Sequence, residues 1–169
     1  MFYQFQRLPN HARVWVYQSD QALTTIQVSV LNDRLKAFCV DWTAHNNNLM
    51  ASFEVKDDYF VAIAVDESGA AASGCSVDKM VRLMQALGQE LGVNFFDRLR
   101  TVTISANGQR QSLTLSEFQK AIKAGGLVPS DMVYDNLVTN LGQYRDQHQK
   151  PLYQTWLAKY FGQEQLAEI

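Results

Sequence analysis

The sequence has little charge, few cysteines and histidines, and no long apolar run. Charged residues make up 19% of its 169 residues, and the formal net charge is −2. Nucleic acids and anionic membranes need a concentrated positive surface, whereas the lysines and arginines here are scattered singly along the chain. We therefore expect neither of these partners.

Apolar runs long enough for a membrane helix are also missing. The longest uninterrupted one covers residues 59–65, well short of the roughly 18 residues that a membrane helix needs. Residues 1–7 do not combine a basic segment with an apolar one, as a secretion signal does. These two absences predict a cytoplasmic protein without a membrane segment.

The scarcity of cysteine and histidine excludes the usual metal and redox motifs. Cys39 and Cys75 have no CxxC spacing, and His11, His45 and His148 lie far apart in the sequence. No zinc-binding pattern results, and we expect no metal and no cofactor. Reduced thiols of a cytosolic protein are the expected state of both cysteines.

Apolar residues, in contrast, make up 47% of the chain, which is enough for a substantial core. The length suits one domain over residues 1–169. Within it, residues 142–169 are interpreted as a C-terminal linker followed by a docking helix, because 142–150 is linker-like in composition.

Hydrophobic periodicity divides the first half of the chain into strands and helices. A helix is predicted over 23–42, with Ser19-Asp20 as a candidate cap, although Thr24–Val30 also alternates as a strand does. A second helical stripe starts at Val77 and stops at Gly92. Strands are predicted over 13–18, 49–56 and 59–65. The last of these strands is apolar on both faces and is expected to be central in the sheet.

The second half begins with a hairpin signal, Asn107-Gly108, which joins 101–106 to 109–115. A capping box at Ser116–Gln119 predicts a short helix, and a last helix is expected from Lys150-Pro151. This order predicts an α+β fold in which an antiparallel sheet carries helices on one face. The core is expected to be ferredoxin-like, β-α-β-β-α-β, with a C-terminal β-hairpin and helix extension.

The small-residue loop at 69–76 has the spacing of a phosphate-binding P-loop and lies between a predicted strand and a predicted helix. The position of the essential lysine is Cys75, however, and that lysine is the group that reaches the terminal phosphates. The apolar strand 60–67 ends in Asp-Glu, like a metal-holding Walker B strand, but it directly precedes the loop. One strand would have to serve both roles, so we reject an ATPase interpretation.

A weaker interpretation of this loop is anion binding. Small residues before a helix leave backbone N–H groups open, and the helix dipole favours a negative charge there. The alternative is a tight connection that needs small residues only for close packing. The candidate anion-binding residues are Gly74, Ser76, Lys79 and Arg82.

The same helix start makes Cys75 a candidate reactive thiol, because a helix N-terminus can favour the thiolate. A base would have to come from elsewhere in the fold, with His45 or Asp66 as the candidates. The alternative interpretations are that Cys75 is a small buried thiol beneath the loop and that Asp66 caps the turn after its strand.

Three segments carry a resemblance to a known family: residues 41–45, 73–79 and 93–98. In these segments the chain resembles a family of uncharacterised small bacterial proteins, some of which are labelled transporter ATPases without a Walker lysine. The resemblance covers nearly the whole chain. It implies a bacterial protein and transfers no catalytic role.

Two functional hypotheses remain open. The first is a non-catalytic cytosolic module that binds a small ligand or a partner protein. The second is a small enzyme or anion-binding protein that uses the helix start at Gly74-Cys75-Ser76. The position of Cys75 relative to His45 and the carboxylates distinguishes them.

Overall fold

The computed structural model describes residues 3–105 and 107–167. Ala106, at the expected end of the first hairpin strand, and the last two residues of the expected docking helix lie outside the described residues. Short 3₁₀ helices cover Phe5–Arg7, Leu152–Gln154 and Trp156–Tyr160. The α-helices are α1 (Thr25–Asp41), α2 (Gly74–Leu91), α3 (Leu115–Lys123), α4 (Leu141–Gln147) and α5 (Gln163–Ala167). The strands are β1 (Arg13–Gln18), β2 (Thr43–Ala44), β3 (Asn47–Asn48), β4 (Met50–Lys56), β5 (Phe60–Asp66), β6 (Thr101–Ile104), β7 (Arg110–Leu113), β8 (Met132–Tyr134) and β9 (Gln149–Pro151).

The described residues fall into two compact units. The first unit comprises 3–97 and 136–145, and the second comprises 98–135 and 146–167. Each contains an antiparallel sheet together with helices, which confirms the predicted α+β class. The prediction of a single domain stays a prediction.

The first unit is built on a three-stranded antiparallel sheet in the order β1-β5-β4. The register aligns Trp15 on β1 and Phe53 on β4 with Ile63 on β5. Residues 60–65 of β5 are all buried, which confirms that this strand is central. A strand that is covered on both faces needs apolar side chains in both directions, and that is the pattern its sequence shows.

A ferredoxin-like arrangement is not confirmed, because the fourth predicted strand does not join this sheet. That strand is β6, and it lies in a four-stranded sheet of the order β7-β6-β8-β9. The hairpin turn at Asn107-Gly108 pairs β6 with β7, and β8 occupies the other edge of β6. Both edges of β6 are therefore paired within the second unit.

The two faces of the first sheet are covered by different elements. On one face, α1 and α2 pack against the side chains of Val61, Ile63 and Val65. The opposite face carries Ala62 and Ala64, which are covered by the N-terminal 3₁₀ segment and by α4. Helices therefore lie on both faces of this sheet and not on one.

The segment predicted to be a linker supplies one of these covers. Residues 141–147 form α4, and its side chains Leu141 and Tyr144 are buried. The Tyr144 ring packs edge-on against Phe5 at 5.8 Å, and its hydroxyl donates to the Glu54 carboxylate at 2.9 Å. The two apolar anchors of α4 are three positions apart, which is a helical spacing, but Leu141 directly precedes the predicted linker and Tyr144 lies inside it.

The segment with competing helix and strand signals is helical, as predicted. Its cap is not Ser19-Asp20 but Thr24, whose hydroxyl accepts from the Gln27 amide at 3.2 Å. The Gln27 side chain accepts in turn from the Thr24 amide at 2.8 Å, which completes a capping box. The cap residue is the first residue of the alternating segment, so the helical conformation is fixed from the start of that segment.

The hairpin in the second unit is confirmed, with Gly108 in the left-handed region at φ +81°. The α3 capping box is formed by Thr114 and Glu117 and not by a cap at Ser116. The prediction of a single docking helix after Pro151 is wrong, because two 3₁₀ helices and the short α5 follow that residue. The Thr155 side chain binds backbone groups of neighbouring residues, and such local bonds compete with a continuous helix.

Gly92 ends α2 at φ +66°, as predicted, and Gly88 lets the chain fold back beside the helix. A Cβ atom at Gly88 would lie 2.9 Å from the backbone oxygen of Val93, which cannot move freely. We expect Gly88→Ala to lower the free energy of unfolding by about 1–3 kcal/mol because of this overlap. Urea unfolding followed by circular dichroism measures it.

Gly74→Ala is the matched control, since a Cβ there meets nothing within 4 Å in the same helix. Alanine is better than glycine in a helix by about 1 kcal/mol at most, so this variant should equal or exceed the wild type in stability. If Gly88→Ala were as stable as Gly74→Ala, the close approach would be wrong.

Candidate functional site

The loop between β5 and α2 is held by the two carboxylates that precede it. Asp66 Oδ1 accepts from the Ser68 amide at 3.0 Å and from the Ser68 hydroxyl at 2.6 Å. Glu67 Oε1 accepts from the Ala72 amide at 3.0 Å. Both carboxylates therefore cap the turn, as the alternative interpretation of Asp66 had it.

Asp66 has one further partner, which the sequence did not reveal. The Nε2 atom of His11 lies 3.2 Å from Asp66 Oδ1 and 3.0 Å from Ser68 Oγ. The Ser68 hydroxyl hydrogen bond is the main cause that lowers the pKa of Asp66 from its usual value, and His11 lowers that pKa further. The three side chains do not form a catalytic triad, because one imidazole nitrogen faces both partners and the Ser68 hydroxyl donates to Asp66.

The start of α2 is capped by its own serines. Ser73 Oγ accepts from the Ser76 amide at 3.2 Å, and the Ser76 hydroxyl donates to the Ser73 carbonyl at 2.7 Å. The indole Nε1 of Trp42 donates to the Ser76 carbonyl at 2.9 Å. Ser76 is thus buried with its polar groups bonded inside the protein, whereas Gly74 faces solvent.

Cys75 is exposed, so the interpretation of a thiol buried beneath the loop is not supported. His45 is also exposed, in the tight turn between β2 and β3 at φ +48°. Over the described residues, the Cys75 thiol forms no hydrogen bond with His45, with Asp66 or with any other group. The structure therefore does not assemble a nucleophile and base from the three catalytic candidates.

Lys79 and Arg82 are both exposed on α2, but they differ in surroundings. Lys79 lines a groove between the C-terminal half of α1 and α2, and Arg82 does not. We call this groove of about 350 Å³ the α1–α2 groove. Its lining consists of Arg34, Ala37, Phe38, Asp41, Trp42, Thr43, Lys79 and Leu83.

Two aromatic rings form the rigid wall of the α1–α2 groove. The Trp42 side chain is 2% exposed and packs against Trp15 at 6.1 Å, so its position is fixed by the core. Phe38 lies half-buried beside it, with ring centroids 4.9 Å apart. Phe38 and Trp42 are four positions apart, which is a helical spacing within the predicted helix 23–42, but the sequence gave no sign that α2 would form the opposite wall.

A second groove of about 500 Å³ lies near the C-terminal end of α2. None of its lining side chains is charged, and several of its backbone groups are bonded already. The Gly88 carbonyl accepts from Val93, the Gly92 carbonyl accepts from Gln21, and the Phe96 amide donates to Asn94. The smaller α1–α2 groove, in contrast, is lined by charged side chains as well as apolar ones.

No protein-family model, no curated protein and no solved structure matches the chain. In the part of the chain that the structure describes, no helix is both long enough and apolar enough to cross a membrane, and no group of three or more potential ligand side chains could hold a metal.

The two cysteines should differ in reactivity towards a soluble thiol reagent. Burial raises the pKa of Cys39 to about 12, whereas Cys75 is open to solvent. Because the thiolate is the reactive form, we expect a single thiol to react in the folded protein and both to react in denaturant. Ellman's reagent with Cys75→Ser and Cys39→Ser variants measures this. Labelling of Cys39 in the folded chain would contradict the expectation.

Asp66 should make the stability of the protein depend on pH. A carboxyl whose pKa is lowered by folding stabilises the fold above its unfolded value, about 3.9, and this contribution is lost as the pH falls through the lower folded value. Asp66→Asn should therefore be less stable than the wild type at pH 7, by a difference that shrinks below pH ~4. Urea unfolding at a series of pH values tests this. A difference that stays constant down to pH ~2 would show that the carboxylate charge has no role.

Proposed function

We propose that the protein is a non-catalytic cytosolic binding module and that its ligand is a small molecule held in the α1–α2 groove. The observation that supports this most directly is the combination of a fixed aromatic wall with a charged rim. Arg34, Asp41 and Lys79 form that rim around Phe38 and Trp42. Ligand sites typically combine an apolar, preformed surface with a few polar groups that orient the ligand.

The size of the α1–α2 groove favours a small ligand over a peptide segment. Its volume of about 350 Å³ is near the lower end of the ~300–1,000 Å³ that small-molecule sites occupy. Its wall is also preorganised, since the Trp42 indole is bonded to the Ser76 carbonyl and does not need to be ordered on binding. A preformed site of this size suits a metabolite with one ring or a short apolar chain.

Enzymatic use of Cys75 has less support. A catalytic thiol needs a base within hydrogen-bond reach, and the described residues place none at Cys75. Anion binding at the α2 start is limited by Ser73, which occupies the amide of Ser76. Of the anion-binding candidates, Lys79 is the one that lines the α1–α2 groove.

The test is a thermal-shift screen of metabolites against the full chain, followed by the same screen on Lys79→Met and Phe38→Ala. A compound at 100 times its Kd adds about 2.7 kcal/mol to the free energy of unfolding, which is readily measured. We expect compounds that raise the unfolding temperature of the wild type to lose that effect in both variants.

Arg82→Met is the matched control, because Arg82 is an exposed cation on the same helix but lies outside the groove lining. Compounds that bind in the α1–α2 groove should stabilise this variant as they stabilise the wild type. If the stabilising compounds were insensitive to Lys79→Met and Phe38→Ala, the groove would not be the binding site.

A further inference from the structure

Two side chains of opposite charge line the α1–α2 groove without neutralising each other. Lys79 stands on α2, and Asp41 is the last residue of α1. Neither side chain forms a hydrogen bond or an ion pair with another residue that the structure describes. The α1–α2 groove therefore presents a cation and an anion that are both open to a ligand.

The third charge of the rim is already compensated. The Arg34 guanidinium lies 3.3 Å from the Glu90 carboxylate, and both groups are about half exposed. With this pair set aside, the open charges of the groove are Lys79 and Asp41, and they sum to zero. A ligand that complements them carries one negative and one positive group.

Asp41 stands where helix electrostatics disfavours it. The C-terminal end of a helix carries partial negative charge, so a carboxylate there is unfavourable and a basic residue is favoured. The last turn of α1 has no basic residue, and its final position is Asp41. The Asp41 carboxylate is thus in an unfavourable position, and no cationic side chain among the described residues compensates it. Such departures from local preference are typical of functional positions. The helix end also strengthens the negative potential that a ligand ammonium would meet.

Apart from these charged residues and Thr43, the lining of the groove is apolar. Phe38, Leu83 and Ala37 contribute side chains without polar groups, and the N–H group of Trp42 is bonded to the Ser76 carbonyl. These four side chains offer no hydrogen bond to a ligand. They suit an aromatic or aliphatic group that packs against Phe38 and Trp42.

We propose that the ligand of the α1–α2 groove is a zwitterion, an amino-acid-like molecule with an apolar side chain. Its acid group binds Lys79, its ammonium group binds Asp41, and its apolar part packs against Phe38, which lies against Trp42. This inference rests on the proposed function, because it names the class of ligand for the same groove.

Three matched probes separate the contributions of the two charges. Phenylalanine carries both groups, 3-phenylpropionate carries the acid alone, and 2-phenylethylamine carries the amine alone. Dissociation constants come from chemical-shift titrations of the ¹⁵N-labelled full chain. We expect phenylalanine to bind about two- to fivefold more tightly than either analogue, since each lacks one exposed ion pair.

Charge-neutral variants assign each ion pair to its residue. In Lys79→Met, phenylalanine should bind no better than 2-phenylethylamine binds the wild type. In Asp41→Asn, it should bind no better than 3-phenylpropionate does. Arg82→Met should keep the wild-type order, and the amide spectra report whether each variant is folded.

The outcomes distinguish this inference from the proposed function. If 3-phenylpropionate binds as tightly as phenylalanine and weakens in Lys79→Met, the groove is a ligand site but the zwitterion inference is overturned. The same holds if none of the three probes shifts groove amides while other compounds of the screen do. If no compound of either set binds the groove, both the inference and the proposed function fail.

Discussion

The buried hydrogen bond from the Trp42 indole to the Ser76 carbonyl joins the end of α1 to the start of α2. Trp42 is almost fully buried, and its N–H group would be costly to leave without a partner there. The bond fixes the first turn of α2 relative to α1, and Ser73 then caps that turn. The position of both walls of the α1–α2 groove depends on this contact.

The loop before α2 shows how motif spacing and structural role can diverge. Its length and small residues imitate a P-loop, but the structure uses them for a turn that Asp66 and Glu67 hold through backbone amides. The Ser73 cap occupies the Ser76 amide, which a phosphate would otherwise approach. The better candidate for a binding site is therefore the α1–α2 groove and not the loop, because Lys79 lines that groove together with Phe38 and Trp42.

Local signals predicted well those elements whose formation depends on neighbouring residues. The central strand β5 is apolar in both directions, and Gly92 ends α2 in the left-handed region, as expected. Prediction failed where distant contacts decide. The polar segment containing α4 is helical because the side chains of Leu141 and Tyr144 are buried against the first sheet. Strand β6 is not part of that sheet, because its two edges are paired with β7 and β8. Neither outcome is visible in a window of a few residues.

The sequence by itself determined the α+β class, the elements with clear periodicity and the absence of a P-loop lysine, because each depends on residue types and short spacings. It also identified Lys79, but for a site at the helix start. Only the tertiary structure decided that Cys75 is exposed, with no base bonded to it among the described residues, and that Lys79 and Asp41 line one groove. Lys79 and Asp41 are far apart along the chain, and their place in one groove follows from the packing of α1 and α2 on the same face of the sheet.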